Sequence, residues 1–74
     1  MSMDLINGME EILDLVPGSL NLDTDFKALG EWDSLAALSL IILIEDIYKK
    51  IIDPAILKRS RTIAELVENI AKVG

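Results

Sequence analysis

A chain of 74 residues with a net charge of −6 and neither cysteine nor histidine can support only a narrow set of functions. Folding at this size removes only about 60% of the unfolded chain's surface from water, which leaves little room for an enclosed catalytic pocket. The absence of cysteine excludes disulfides, and zinc or copper sites of the usual nitrogen and sulfur type are excluded too. A serine hydrolase triad is also excluded, because no imidazole is present to act as its base.

The charge is unevenly distributed along the chain. Residues 1–48 hold ten acids and one base, Lys27, whereas residues 49–74 hold three acids and six bases. This acidic majority argues against nucleic acid and suits a partner with a basic docking surface, although solubility would explain it equally well. No basic signal region precedes an apolar stretch, and the longest apolar run, residues 40–44, is far below the ~20 residues that span a bilayer. We therefore expect a cytoplasmic protein without membrane insertion.

Helical periodicity dominates the sequence, beginning with a first helix that should stop at the helix-breaking pair Pro17-Gly18. The apolar stripe of this helix contains Leu5, Ile6, Met9, Ile12, Leu13 and Val16. Its polar side contains Asp4, Asn7, Glu10, Glu11 and Asp14. Residues 19–32 have no long period and are predicted to form a loop. From this loop Leu22, Phe26 and Leu29 should reach the core, with one helical turn at residues 25–29.

Capping signals locate the other helices. Asp33 is the predicted N-cap of a second helix from Ser34 to about Lys50, since its carboxylate can accept free amide hydrogens of the first turn. Asp53 and Pro54 predict a short helix that ends near Lys58. A last helix follows the capping-box pair Thr62 and Glu65, with an apolar stripe of Ile63, Leu66, Val67, Ile70 and Val73 opposite Glu65, Glu68, Asn69 and Lys72. The predicted fold is an all-α bundle of three main helices and one short helix, forming a single domain over residues 1–74.

The second helix has apolar residues on two sides. One broad side should form the core and contains Ala37, Leu40, Ile41, Leu43, Ile44, Ile47 and Ile51. The other side combines Leu35, Leu38 and Ile42, here called the apolar strip, with Ser34, Ser39, Glu45, Asp46 and Lys49. A contiguous apolar strip edged by acids is a candidate docking surface for a partner. The alternative is that the long loop or the short third helix covers it.

Ser34 lies at the first position of this helix. Many helices begin with a serine that has no chemical role. A phosphodiester attached to Ser34, however, would lie near the positive end of the helix dipole and close to unpaired amides. The hydroxyl would also point outward, where a modifying enzyme could reach it.

The segment Leu-Gly-Glu-Trp-Asp-Ser-Leu at residues 29–35 resembles the phosphopantetheine attachment region of acyl and peptidyl carrier proteins. The hallmark of that family is Asp-Ser-Leu after a Leu-Gly pair. The resemblance covers nearly the whole chain, because the four helices and the long loop follow the family's order and spacing. It implies an acyl-carrier-like bundle that holds a substrate and is not itself an enzyme.

The resemblance also implies roles for particular residues. Ser34 would accept 4′-phosphopantetheine from coenzyme A through a phosphopantetheinyl transferase, and the arm's thiol would carry an acyl or aminoacyl group as a thioester. Asp33 matches the acidic residue implicated in transferase recognition. Leu35, Leu38 and Ile42, together with the acids Glu45 and Asp46, would contact acyl ligases or ketosynthase-type enzymes with basic and apolar docking surfaces. We expect a monomer that serves fatty-acid, polyketide or related biosynthesis.

Some residues depart from the commonest fatty-acid pattern. Glu31 and Trp32 separate Gly30 from Asp33, where one residue is usual, and Ala36 and Ser39 stand at positions that are typically acidic. A docking face with fewer charges should depend more on apolar contact. The chain begins with Met and ends just after its last helix. Together these features predict a specialised, free-standing carrier.

Two alternatives from other classes remain open at this stage. The bundle could be a non-covalent interaction module that uses the apolar strip without any modification of Ser34, or an enzyme that uses carboxylates such as Asp33 and Glu31. The cargo is also open, although an acyl chain could enter a groove between helices. The basic residues Lys49, Lys50, Lys58, Arg59 and Arg61 could contact a partner or simply form a solvated face.

Overall fold

The computed structural model describes residues 2–73, with side chains from residue 4 onward, and these residues form an all-helical bundle. Helix α1 spans Ser2–Ile12, α2 Ser34–Tyr48, α3 Ala55–Arg59 and α4 Ile63–Ala71, and a short 3-10 helix covers Phe26–Ala28. The predicted fold class, three main helices with one short helix, is confirmed. None of the described helices has the length and apolar character needed to cross a membrane.

Helix α1 ends earlier than its apolar stripe predicted. Asp14 adopts the left-handed conformation (φ 56°), and the Leu15 amide donates to the Glu10 carbonyl at 2.8 Å. This is the hydrogen-bond pattern of a Schellman cap, which ends a helix by turning the chain away from its axis. Val16 therefore leaves the stripe and is 74% exposed, so its predicted place in the core is wrong.

Glu10 was predicted on the polar side of α1, but it is only 3% exposed. Its carboxylate accepts hydrogen bonds from the amides of Gly18 at 2.9 Å and Leu20 at 3.0 Å. A buried carboxylate is tolerated when such donors replace its water. The loop after α1 folds back over Glu10 and buries Leu20, whereas Leu22, which was predicted to reach the core, is 44% exposed.

The core lies between the four helices, with Phe26 inserted from the 3-10 helix as predicted. Gly8 lets α1 approach α2 closely, because a Cβ at this position would lie 2.5 Å from a methyl carbon of Leu43. From α2 and α4 the buried side chains are Ala36, Leu40, Ile41, Ile44, Ile63, Leu66 and Ile70. Ala37, Leu43 and Ile47 are partly buried against this core.

At the end of α2, one more residue that was predicted in the core lies outside it. Lys49 adopts a left-handed conformation (φ 56°) and caps the helix, with its amide donating to the Glu45 carbonyl. The helical period stops there, and Ile51 is 86% exposed instead of buried. Ile52 enters the core in its place.

The predicted cap of α4 is present, whereas Pro54, not Asp53, directly precedes α3 and makes no side-chain cap hydrogen bond. The Asp53 carboxylate accepts from the Ala55 amide at 2.9 Å at the start of α3. The Thr62 hydroxyl accepts from the Glu65 amide at 3.2 Å, and the Glu65 carboxylate accepts from the Arg61 amide at 2.8 Å. This arrangement is a close variant of the capping box, because the glutamate reaches one residue beyond the cap.

Candidate functional site at the start of α2

Asp33 fixes the position at which α2 begins. Its backbone is extended (φ −149°, ψ −175°), and its carboxylate accepts from the Ala36 amide at 2.8 Å. The Asp33 carbonyl accepts from the Ala37 amide at 3.0 Å, which starts the helical ladder. The predicted N-cap is therefore confirmed, and Ser34 is the first helical residue.

Ser34 is exposed at this end of the bundle. Because Asp33 supplies the cap, the serine hydroxyl is not needed to satisfy the helix. Asp33 pairs with only one of the first amides, and those of Ser34 and Leu35 have no intrahelical acceptor in such a geometry. The site thus combines an accessible hydroxyl with free amide donors at a positive helix end.

The apolar strip runs along α2 from this point and faces solvent. Leu35 is 70% exposed, Leu38 58% and Ile42 59%. Neither the long loop nor α3 covers the strip, so the alternative raised by the sequence does not apply. Folding of the described residues does not require three exposed aliphatic side chains next to an exposed serine.

The acids predicted beside the strip differ in their surroundings. Glu45 is half-buried, and its carboxylate accepts from the Ile52 amide at 3.1 Å, which ties down the turn after α2. Asp46 is exposed and lies 3.8 Å from the Lys49 ammonium. Of the two, Asp46 is freer to meet another molecule.

The residues that depart from the commonest family pattern also differ in their surroundings. Ala36 is buried, so it is not part of an exposed docking face, and its small side chain follows from packing. Ser39 is half-buried in a notch of about 210 Å³ between the end of α1 and the start of α2. Three carboxylates line this notch: Asp14, Glu31 and Asp33. Sequence reasoning missed Asp14 here, because it predicted that α1 continued past this residue.

Next to the apolar strip, and sharing Leu38 with it, lies an apolar groove of about 400 Å³, here called the α2–α3 groove. Trp32, Leu38, Ile41 and Leu57 contribute apolar walls, and Lys27 and Lys58 contribute ammonium groups. The indole of Trp32 packs edge-on against the buried Phe26, with ring centroids 5.2 Å apart and planes at 77°. The sequence offered one hint of this wall, since Trp32 is one of the two residues that separate Gly30 from Asp33 where one is usual.

The basic residues noted in the sequence do not all share one role. The Lys50 ammonium donates to the carbonyls of Ile70 at 3.3 Å and Val73 at 2.9 Å, which satisfies the end of α4. The Lys27 ammonium donates to the Leu57 carbonyl at 2.6 Å and the Lys58 carbonyl at 3.3 Å. Lys58, Arg59 and Arg61 are exposed.

This geometry agrees with the comparison to known families. A family model described as a phosphopantetheine attachment site matches residues 4–70. This chain belongs to that family. Its cofactor is covalently attached 4′-phosphopantetheine, and the carrier domain brings acyl groups to enzymes without being catalytic itself. The comparisons with curated proteins and with solved structures gave no match.

Proposed function

We propose that Ser34 is the attachment residue and that the chain presents an acyl or aminoacyl group to partner enzymes of fatty-acid, polyketide or related biosynthesis. The observation that carries this proposal is an exposed serine hydroxyl at the first position of a helix whose cap is supplied by its neighbour, Asp33. When bound, the 4′-phosphopantetheine group supplies the thiol that holds the cargo as a thioester.

The residues around Ser34 fit a phosphodiester. The free amides of Ser34 and Leu35 are donors for phosphate oxygens, and the helix dipole favours negative charge at this end. Asp33 adds an unfavourable negative charge nearby, but its carboxylate is turned toward the Ala36 amide. An exposed position also lets a phosphopantetheinyl transferase reach the hydroxyl without unfolding the helix.

Other serines provide controls for the attachment test. Ser19 is exposed but lies in a turn, and Ser60 is buried, with its hydroxyl donating to the Ile56 carbonyl. The protein is co-expressed with a broad-specificity phosphopantetheinyl transferase and its intact mass is measured. We expect one phosphopantetheine increment in the wild type and in Ser19→Ala, and none in Ser34→Ala. An increment that survives Ser34→Ala would overturn the proposal.

We further propose that the apolar strip is the surface that partner enzymes contact, with Asp46 and Asp33 at its edge meeting basic groups. Exposure of Leu35, Leu38 and Ile42 beside Ser34 supports this placement. A charge placed within the strip would lose its water at an apolar interface without gaining a partner, so it should be costly. Glu45 contributes less, because its carboxylate already binds the Ile52 amide.

Ile51 allows a matched test of this surface, since it is an aliphatic residue beyond the end of α2 that is even more exposed than Leu38. The rate of phosphopantetheine loading by the transferase is measured for Leu38→Asp and Ile51→Asp, with circular dichroism to verify folding. We expect kcat/KM to fall about tenfold or more for Leu38→Asp, which corresponds to a loss of about 1.4 kcal/mol. Equal rates for the two variants would remove the strip from the transferase interface.

A further inference from the structure

We propose that a cleft beside α1 binds a primary ammonium group carried on an unbranched alkyl stem. The cleft, here called the α1–loop cleft, has a volume of about 420 Å³ and lies between Ile6, Asn7 and Glu10 of α1 and the loop residues 18 and 20–23. It shares no residue with the site at Ser34, the apolar strip or the α2–α3 groove, so the inference goes beyond the proposed function.

Glu10 lines this cleft with a carboxylate of which one oxygen is satisfied and the other is not. The residue is only 3% exposed. The amides of Gly18 and Leu20 both donate to Oε2, at 2.9 and 3.0 Å, and Oε1 has no hydrogen-bond donor among residues 2–73. A carboxylate offers about four lone-pair positions on its two oxygens, so Glu10 keeps acceptor capacity that the fold does not use.

The free oxygen of Glu10 is open to the cleft. Among the residues that the structure describes, the Tyr48 hydroxyl is the side-chain group that is both closed off from solvent and without a partner. Oε1 of Glu10 is unpartnered but not closed off, and the opening that Glu10 lines is the α1–loop cleft. An arriving donor can therefore reach Oε1 without displacing the loop.

The charges around the cleft favour a cation. Asp23, which is exposed, contributes a second carboxylate, and none of the residues that line the cleft is basic. Within the described part of the chain, the ion pair joins Lys49 to Asp46, so Glu10 and Asp23 have no cationic partner there. A buried carboxylate is costly without a partner, and a cation at Oε1 would supply one.

The available acceptors suit an ammonium group better than other cations. An ammonium has three N–H donors, and Oε1 of Glu10, the Asp23 carboxylate and the Asn7 side-chain oxygen are acceptors that line the cleft. A guanidinium prefers both oxygens of a carboxylate, but Oε2 of Glu10 is already occupied. Calcium takes roughly six to eight oxygens, and the described residues contain no acidic group of three or more that could hold a metal ion.

The remaining walls suit an alkyl stem. Ile6, Leu20 and Leu22 line the cleft, so a stem can pack on apolar surface while its charged end reaches Glu10. The loop side of the cleft is held in place, because the Leu22 carbonyl accepts from the Ala64 amide at 2.9 Å and the Leu20 amide donates to Glu10. A wall that is already fixed needs little ordering when a ligand binds.

The test is a titration of the folded protein at neutral pH, followed by proton–nitrogen NMR. The probes are pentylamine, which is protonated at this pH, its neutral match pentan-1-ol, and N-acetyl-lysine methylamide, which presents the side chain of a protein lysine. The amides of Gly18 and Leu20 report on Glu10. The Ala36 amide, which donates to the exposed carboxylate of Asp33, reports on general attraction of cations to acids.

We expect pentylamine to shift the Gly18 and Leu20 amides until saturation, while the Ala36 amide moves little. Pentan-1-ol should bind about tenfold more weakly, because hydrogen bonds to charged groups are the stronger ones. The lysine probe identifies the source of the ammonium: similar binding indicates a lysine of another protein, and binding of pentylamine alone indicates a free amine.

Three variants assign the binding to the cleft. Glu10→Gln keeps an oxygen for the two loop amides but loses the charge, so the Kd of pentylamine should rise about tenfold. Asp23→Asn alters an exposed residue and should raise it about threefold. Glu11→Gln, at an exposed acid on the same helix but outside the cleft, should bind as the wild type. Circular dichroism verifies folding of each variant.

Several outcomes would overturn the inference. Equal affinities for pentylamine and pentan-1-ol would show that the cleft does not select a cation. An unchanged Kd in Glu10→Gln, or shifts of the Ala36 amide as large as those of Gly18, would show that the ammonium is attracted only to the acidic surface in general. If Glu10→Gln does not fold, an unchanged Kd in Asp23→Asn overturns the inference. None of these results requires loading of Ser34, so the proposed function is tested separately.

Discussion

The inner face of α2 and the apolar strip on its outer face both carry large aliphatic side chains, but their environments differ completely. Leu40 and Ile44 are buried against the rest of the bundle, whereas Leu38 and Ile42, two residues away from each, are more than half exposed. A helix that is apolar on all sides is normally buried on all sides. The inner residues are apolar because their burial stabilises the fold, but burial does not explain why the outer residues are apolar. The difference indicates that the outer face serves contact with other molecules.

The largest expected effect comes from one substitution made on both faces. Ile44→Ala should reduce the free energy of unfolding by about 2–5 kcal/mol, because it removes buried carbons and leaves a cavity. Ile42→Ala should change it by less than about 0.5 kcal/mol, since Ile42 is exposed and alanine is the better helix former. Urea denaturation with linear extrapolation measures both values.

The contrast is large for a domain of this size. At roughly 0.05–0.15 kcal/mol per residue, a chain of 74 residues has a stability of about 4–11 kcal/mol. Ile44→Ala could therefore unfold much of the population at moderate temperature. A comparable loss for Ile42→Ala would mean that the outer face is covered in the folded protein, and the division between the faces would be wrong.

Substitutions of Glu10 test whether losing a buried polar group also lowers the stability of the bundle. Glu10→Ala leaves the amides of Gly18 and Leu20 without an acceptor, which should cost about 2 kcal/mol. Glu10→Gln keeps one carbonyl oxygen and should cost less. Glu11→Ala is the control, because Glu11 is exposed on the same turn and should change stability by less than about 0.5 kcal/mol. Equal effects at both positions would show that the loop does not depend on Glu10.

Asp33 lies where the two faces begin and could serve either stability or recognition. Asp33→Ala should cost about 1 kcal/mol by removing the N-cap, whereas asparagine is an equally good cap and Asp33→Asn should cost almost nothing. If the transferase recognises the charge, loading should slow for both variants. Urea denaturation and loading rates measured side by side separate the roles. Normal loading of Asp33→Asn would leave Asp33 with the capping role alone.

The start of α2 could be predicted from the sequence because its signals are local. A cap such as Asp33 acts within one helical turn, and the spacing of Leu35, Leu38 and Ile42 predicts that they share one side of the helix. The same holds for the cap formed by Thr62 and for the bond from the Ala55 amide to the Asp53 carboxylate. In each case the atoms that interact lie within a few residues of one another, so spacing alone carries the information.

Features that depend on distant contacts could not be predicted in this way. Glu10 is buried because a loop eight to ten residues later supplies its donors. Val16 and Ile51 leave the core because Asp14 and Lys49 adopt left-handed conformations, which periodicity cannot reveal. The α2–α3 groove needs side chains from three separate segments, so no local pattern marks it.

Tyr48 lies at the end of α2, at the boundary between its inner and outer faces. Substituting it should have the smallest effect on stability. Its hydroxyl is buried without a hydrogen-bond partner among residues 2–73, and burial, assisted by the charge of Asp4, raises the pKa of Tyr48 above its ordinary value of 10.0. Removing an unpaired buried hydroxyl breaks no hydrogen bond and relieves its desolvation cost, so Tyr48→Phe should leave stability at pH 7 unchanged or raise it by about 0.5 kcal/mol.

The direction of the Tyr48 pKa shift determines how the stabilities of the wild type and of Tyr48→Phe depend on pH. Because the folded state holds the Tyr48 proton more tightly than the unfolded state, the stabilisation is complete below pH 10 and is lost as the pH rises through the raised pKa. Urea midpoints measured from pH 7 to 11 should therefore fall more steeply for the wild type than for Tyr48→Phe. Parallel curves would mean that water reaches the hydroxyl, and that the solvent-facing side of α2 extends to its last residue.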